Sequence, residues 1–283
     1  MIDAVRGRLR DAVRSRIAGD DAEKRAAQIW AKPGERRFTD RDPIWRVHSD
    51  ASMFAGGIRA LLLQSLHPLA MAGVAEHSGF RSDPLGRLQR TSDFIAQTTF
   101  AVREDADRAV RIVRAVHKRV VGVADDGTPY SAGDPHLLMW VHAAEIDSFL
   151  QTYQEFGSAA LSAHDADLYV AQTAETAEAL GVERAPRSVA ELEDVLASYR
   201  PELRATPEAL DVARFLLLQP PVPMLARGGY AGLAIAAAAT LPPWALAMLR
   251  IPHLRGVTPL AGRLAGSMSV GTLRWIMTAP RTS

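Results

Sequence analysis

Residues Leu66 to Thr91 read LHPLAMAGVAEHSGFRSDPLGRLQRT, and two prolines punctuate the stretch. His67-Pro68 ends or kinks a helix, because proline lacks the backbone donor a helix needs. Asp83-Pro84 opens the next helix, with proline at the first helical position, where a missing N–H is tolerated. Upstream, Ser52 to Leu66 is apolar nearly all round, so a buried helix is expected there. Its Gly56-Gly57 pair would let another helix or a flat ligand approach the backbone. Downstream, Arg87, Arg90, Thr91, Phe94 and Thr98 recur at helical spacing on a helix running to about Glu104, and Arg87 and Thr91 share a face.

The same punctuation carries on through the chain. A helix is expected from Arg103 to Val121, a turn at Asp125-Asp126-Gly127-Thr128, and a helix from Asp134-Pro135 to about Phe156, ended by Gly157. His164 to Leu180 closes at Gly181, Ser188 caps Val189 to Tyr199, and Pro207 starts a helix reaching Leu218. Gly232 to Leu241 is apolar, but Pro242-Pro243 interrupts it before Trp244 to Leu249, short of the roughly 20 residues a transmembrane helix needs. It reads as a buried hairpin or as a patch that touches a membrane. No strand-like alternation of useful length and no repeat appears. The expected fold is all-α: one helical domain over residues 38–283, preceded by an amphipathic helix and linker over 1–37.

Composition narrows the function classes. No cysteine is present, which removes disulfides, thiolate metal sites and cysteine nucleophiles. A net charge of +1 argues against a bulk electrostatic preference for nucleic acid. Met1 to Ile17 lacks the apolar core of a secretory signal, and Arg36-Arg37 is followed by polar residues, so a cytoplasmic protein is expected. Val5, Leu9, Val13 and Ile17 repeat along a basic helix that either docks on the protein's own core or lies on a membrane surface. From Val212 to Ser283 there are arginines and no Asp or Glu. Such a tail suits an anionic partner such as lipid head groups or haem propionates, or acids on earlier helices; solvated arginines are the plainer reading.

Three groups of residues could carry chemistry. Val110, Val113, Val120 and Val121 place His117 on an apolar stripe, with Arg114 one turn earlier. His142 is flanked on its helix by Leu138, Met139, Ile146 and Phe149. Each imidazole is either a haem ligand in a dry pocket or a core histidine bonded to a carbonyl. Arg87, Arg90 and Thr91 put strong donors on one turn, for an anion, bound oxygen or propionates, or for pairing with nearby acids. His67 and His77 flank the helix break, where structural caps are expected. Neither histidine helix carries a His-x-x-x-His or Glu-x-x-His pair, so zinc and di-iron sites gain little support. No Gly-x-Ser-x-Gly elbow, Walker loop or Gly-x-Gly-x-x-Gly occurs.

As an ordered series, several motifs resemble a known family. They are Leu66-His67-Pro68, Met71-Ala72-Gly73-Val74, His77-Ser78, Asp83-Pro84, Arg87-Leu88-x-Arg90-Thr91 and Arg114-x-x-His117. The series continues with Asp126-Gly127-x-x-Tyr130, Asp134-Pro135-x-Leu137-Leu138-x-Trp140-Val141-His142 and Leu241-Pro242-Pro243-Trp244. Together they resemble the oxygenases that include bacterial latex-clearing proteins (rubber oxygenases) and the fungal MpaB-type oxygenase, over about residues 40–255. The resemblance implies a globin-like helical core holding haem b. It makes His117 the proximal iron ligand, with Arg114 as a neighbouring partner. His142, on an apolar face of the next helix, is expected from the residues alone to face the same pocket, as a second haem ligand or as an outer-shell group. Arg87 and Thr91 match the ends of the family's distal Arg-x-x-Lys-Thr motif, and Arg90 stands where lysine is expected, which keeps the charge and changes the geometry. The expected function is a haem-dependent oxygenase or oxidase that uses O2 on an apolar, isoprenoid- or lipid-like molecule. A non-catalytic haem or lipid carrier and a membrane-surface protein are the alternatives.

Overall fold

The computed structural model describes residues 6–8, 10–11, 26–27, 29–77, 84–219, 222, 224–252 and 257–278. The first helices are α1 (Pro43–Ser49), α2 (Met53–Gln64), α3 (Pro68–His77), α4 (Pro84–Phe100) and α5 (Arg103–His117). A two-stranded hairpin, β1 (Val121–Val123) and β2 (Pro129–Ser131), leads into α6 (Pro135–Phe156), α7 (Ala163–Leu180), α8 (Val189–Ser198) and α9 (Pro207–Leu218). The chain closes with α10 (Arg227–Thr240), α11 (Pro243–Met248) and α12 (Val257–Met277). The fold is all-α apart from the small hairpin, as the sequence leads one to expect.

Helix α6 is the axis of the molecule, buried over most of its length, and α1, α2, α3, α7, α8, α10 and α12 pack on it. Its start is fixed locally: Asp134 Oδ1 accepts from the backbone N–H of His136 at 2.7 Å and of Leu137 at 3.4 Å, with Pro135 at the first position. Helix α2 runs close against it because Gly56 has no side chain. A Cβ there would stand 2.8 Å from both Phe149 Cδ1 and Thr152 Oγ1. Arg59, buried on α2, ties three helices together. Its Nη1 donates to Asp147 Oδ2 and to Ser148 Oγ, each at 2.7 Å, and its Nε to the carbonyl of Thr240 at 3.1 Å.

At His67-Pro68 the chain turns by 109° from α2 into α3. Pro68 has no N–H to offer the carbonyl of Gln64, which accepts instead from the His67 N–H and from the Trp140 indole, each at 3.3 Å. The backbone N–H of Arg204 serves the carbonyl of Leu66 at 2.9 Å.

Two sequence expectations are corrected here. Helix α5 stops at His117 and does not reach Val121, and the valines beyond it form β1, paired antiparallel with β2 from Val121↔Ser131 to Val123↔Pro129. Gly127, at φ +84°, makes the turn. Strands this short leave too little alternation to show in the sequence. The apolar stripe expected on both sides of His117 exists only upstream: Val110 is buried, while Val121 is 55% exposed.

The N-terminal amphipathic helix falls largely outside the described residues. Arg6 within it stacks over the Trp275 ring at 4.6 Å and donates to the Trp275 carbonyl at 2.7 Å, so it contacts α12. Two arginines of the acid-free tail reach acids from earlier elements. Arg274 holds Asp50 through two 2.9 Å bonds, and Arg263 meets Glu155 at 3.0 Å. Among the described residues no single helix is long and apolar enough to cross a membrane.

Candidate functional site

Two titratable side chains stand one turn apart on α6, on a face otherwise made of Leu138, Ile146 and Phe149. His142 and Glu145 are surrounded by protein and keep partial exposure by area. Burial pushes the His142 imidazole down to about 4 and lifts the Glu145 carboxyl to about 7. His142 Nε2 is buried with no hydrogen-bond partner. An orphaned nitrogen on a neutral ring is what a ligand position requires. On α2, a methyl group added at Gly57 would meet nothing within 4 Å, in contrast to the tight fit at Gly56.

A second polar group extends this region. His48 of α1 is pushed down to about 3 by burial. Its Nδ1 lies 2.8 Å from Thr99 Oγ1 of α4, its Nε2 3.3 Å from the Tyr169 hydroxyl of α7, and its ring edge-on to Phe149 at 5.6 Å. The Tyr169 hydroxyl is raised well above its ordinary value, first by burial and then by the charges of Glu145 and Asp147. The series Thr99, His48, Tyr169, Glu145 therefore crosses the interior from α4 to α6.

The remaining candidates lie on the consecutive helices α4 and α5, which touch and are joined by Ala101-Val102. Arg87, Arg90 and Thr91 stand in the first half of α4, and Arg114 and His117 in the last turn of α5. The Arg87 guanidinium is half-buried, and its affinity for its proton is lowered by burial and then by the adjacent Arg90 charge. Arg90, Thr91 and Arg114 are exposed. His117 is half-buried, its pKa is lowered by burial, and its Nδ1 is enclosed without a partner. The Arg87 and Arg90 charges act on each other, His117 closes α5, and His142 sits on α6 with Glu145.

The histidines at the helix break do different things. His77 lies beside Tyr130, with ring centroids 6.1 Å apart, on the face where α3 meets the hairpin. His67 is buried and neither ring nitrogen makes a hydrogen bond, so it caps nothing.

A family model described as "ER-bound oxygenase mpaB/B'/Rubber oxygenase, catalytic domain" matches residues 45–278. The chain belongs to this family. The match makes it an mpaB/rubber oxygenase catalytic domain and places it among oxygenases, from α1 to the last turn of α12. No curated protein and no solved structure gives a significant match.

Two observations on this mpaB/rubber oxygenase domain fit a haem. His117 and His142 each hold a buried ring nitrogen with no partner, on imidazoles that burial keeps neutral. Arg87 and Arg90 form a cationic pair suited to carboxylates such as propionates. Sequence reasoning passed over Glu145, His48 and Tyr169. Glu145 carried a signal, a lone acid on an apolar helix face one turn from His142, whereas His48 and Tyr169 join it only through the fold.

Proposed function

We propose that this chain is a haem b-dependent oxygenase acting on an apolar molecule of isoprenoid or lipid type, with a globin-like helical core around the cofactor. The observation that carries the reading is the pair of neutral, unpartnered imidazoles at His117 and His142 in a chain of this oxygenase family. His117 would hold the iron, as the family resemblance implies, and Arg114 would steady that helix end from the solvent side. Haem b would supply the one-electron and dioxygen chemistry that amino-acid side chains lack. Arg87, Arg90 and Thr91 would set a positive field where negative charge develops on oxygen, and Arg87, half-buried, does so where water screens it least. Glu145, lifted to about 7, is poised to give or take a proton near neutral pH, and His142 one turn away offers it a neutral acceptor. The apolar faces of α2 and α6 would exclude water and admit an oily substrate.

Colour tests it first. Protein from haem-supplied cells should show a Soret band and a b-type pyridine haemochrome, and a colourless protein that also refuses added haemin sinks the proposal. His117→Ala should abolish or strongly shift the band. A spectrum unchanged in that variant and lost in His142→Ala would move the iron to α6. Oxygen consumption with isoprenoid and unsaturated lipid substrates then separates an enzyme from a carrier.

Peripheral membrane contact is part of the proposal. Leu260, Leu264 and Met268 form an exposed apolar line along α12, in a region with arginines and no acids.

A further inference from the structure

We propose that His67, His136 and Glu202 form a binding site for one divalent transition-metal ion of the zinc or ferrous class, apart from His142 and Glu145. His136 lies near the start of α6, about 9 Å along the axis and about 120° round from His142.

The ligand atoms are already at coordination spacing. His136 Nε2 stands 3.0 and 2.9 Å from the two Glu202 oxygens, and His67 Nε2 stands 3.4 Å from Glu202 Oε2. All three ligand atoms lie within 4.8 Å of one another. Metal–ligand bonds of about 2.1 Å give ligand–ligand edges of about 3.0 Å in octahedral and about 3.4 Å in tetrahedral geometry. An ion would enter with little movement of the protein.

Hydrogen-bond directions leave a place for a cation. The Tyr199 hydroxyl donates its single proton to the His136 carbonyl at 2.7 Å. Its oxygen can then only accept from His136 Nδ1, 3.1 Å away. This leaves Nε2 facing the Glu202 carboxylate at 2.9 Å, a contact that a positive centre on that nitrogen must complete, a proton in the His136–Glu202 ion pair or a metal ion in its place. Tyr199 also stacks on His136, with centroids 4.5 Å apart, and so fixes both tautomer and ring plane, the usual task of an outer-shell partner. His67 adds a buried side chain whose ring nitrogens meet no hydrogen-bond partner in good geometry and whose Nε2 lies 3.4 Å from the same carboxylate.

The three positions are held by backbone, independently of any ion. His67 sits in the break between α2 and α3, and Glu202 in the segment after α8. The Arg204 N–H to Leu66 carbonyl bond clamps that segment to the break. Two features oppose a cation: the positive end of α6, and the charge of Arg204 close to His67. Arg204 is engaged by Asp126 at 2.9 Å, and Asp134 caps the helix end. His136 and Glu202 are exposed, so coordination positions remain open to water or to a small oxygen-donor ligand, as in three-ligand catalytic sites.

Zn2+ binding to the chelator-stripped full chain tests the site, by equilibrium dialysis with metal analysis. One equivalent should bind, and His136→Ala and Glu202→Gln should each weaken it by about ten-fold or more. Both residues are exposed, so circular dichroism should show that these variants fold, whatever His67→Ala does. His164→Ala, an exposed histidine elsewhere, and His142→Ala should retain binding. With Co2+, visible d–d bands should appear in the wild type and vanish in His136→Ala. The absence of stoichiometric binding, binding indifferent to His136 and Glu202, or loss only in His142→Ala would each overturn the site. Because the readout is metal content and not the Soret band, its failure is distinct from failure of the haem proposal.

Discussion

Glu145 makes no ion pair among the described residues, and its pKa is lifted from 4.5 to about 7 by burial alone. The folded chain therefore keeps this proton to higher pH than the unfolded chain does. Its contribution to stability is fully present below about pH 4.5 and is lost as pH rises through about 7. Glu145→Gln keeps the shape and removes the ionisation. In the cofactor-free protein it should raise the unfolding free energy at pH 8 by about 2 kcal/mol and leave pH 5 nearly unchanged. Urea titrations at the two pH values check this, and equal effects at both would count against a buried, ionisable Glu145. His48 and His142 work in the opposite direction. Their folded values, about 3 and about 4, lie below 6.5, so the stability they contribute is present above pH 6.5 and lost as pH falls through those values. At this scale the sequence was partly legible. His142 announced itself by its apolar neighbours, but the charge state of Glu145 depends on protein supplied by α1 and α7, far away in the chain.

Among the elements, α2 shows how adjacent glycines serve different ends. Gly56 allows close packing on α6, and Gly56→Ala should cost about 1–3 kcal/mol through overpacking. Gly57 has free space at its Cβ position, so Gly57→Ala should be neutral or stabilise by up to about 1 kcal/mol through helix propensity. If that space belongs to the cofactor cleft, Gly57→Leu should retain the fold by circular dichroism and lose most of the Soret absorbance after haemin addition. Full haem uptake by Gly57→Leu would place the cleft elsewhere. Helix positions were readable because Pro43, Pro84, Pro135 and Pro207 each stand at the first position of a helix, a purely local signal. The hairpin after α5 was missed because its strands are too short for period-two patterning. The rings of His67 and His136 come within 6.3 Å through the fold alone, so no spacing rule could have joined them.

For the whole molecule, the buried Arg59–Asp147 pair joins the central helices to α10. Asp147→Ala leaves a guanidinium charge unmatched in the interior and should destabilise by about 3–5 kcal/mol, whereas the double variant Arg59→Met/Asp147→Leu should lose far less. Chemical denaturation of both variants decides the matter, and similar losses would mean that the ionic bond itself, beyond the stranded charge, carries the stability. The break at Pro68 has its own effect on assembly. The last turn of α2 ends in the Gln64 carbonyl, which accepts the His67 N–H at 3.3 Å and, from 76 residues further along the chain, the Trp140 indole, also at 3.3 Å. A fragment ending before α6 would hold that helix end open to water. The second partner of that oxygen arrives only when the core closes around Trp140, which ties the end of α2 to the formation of the core.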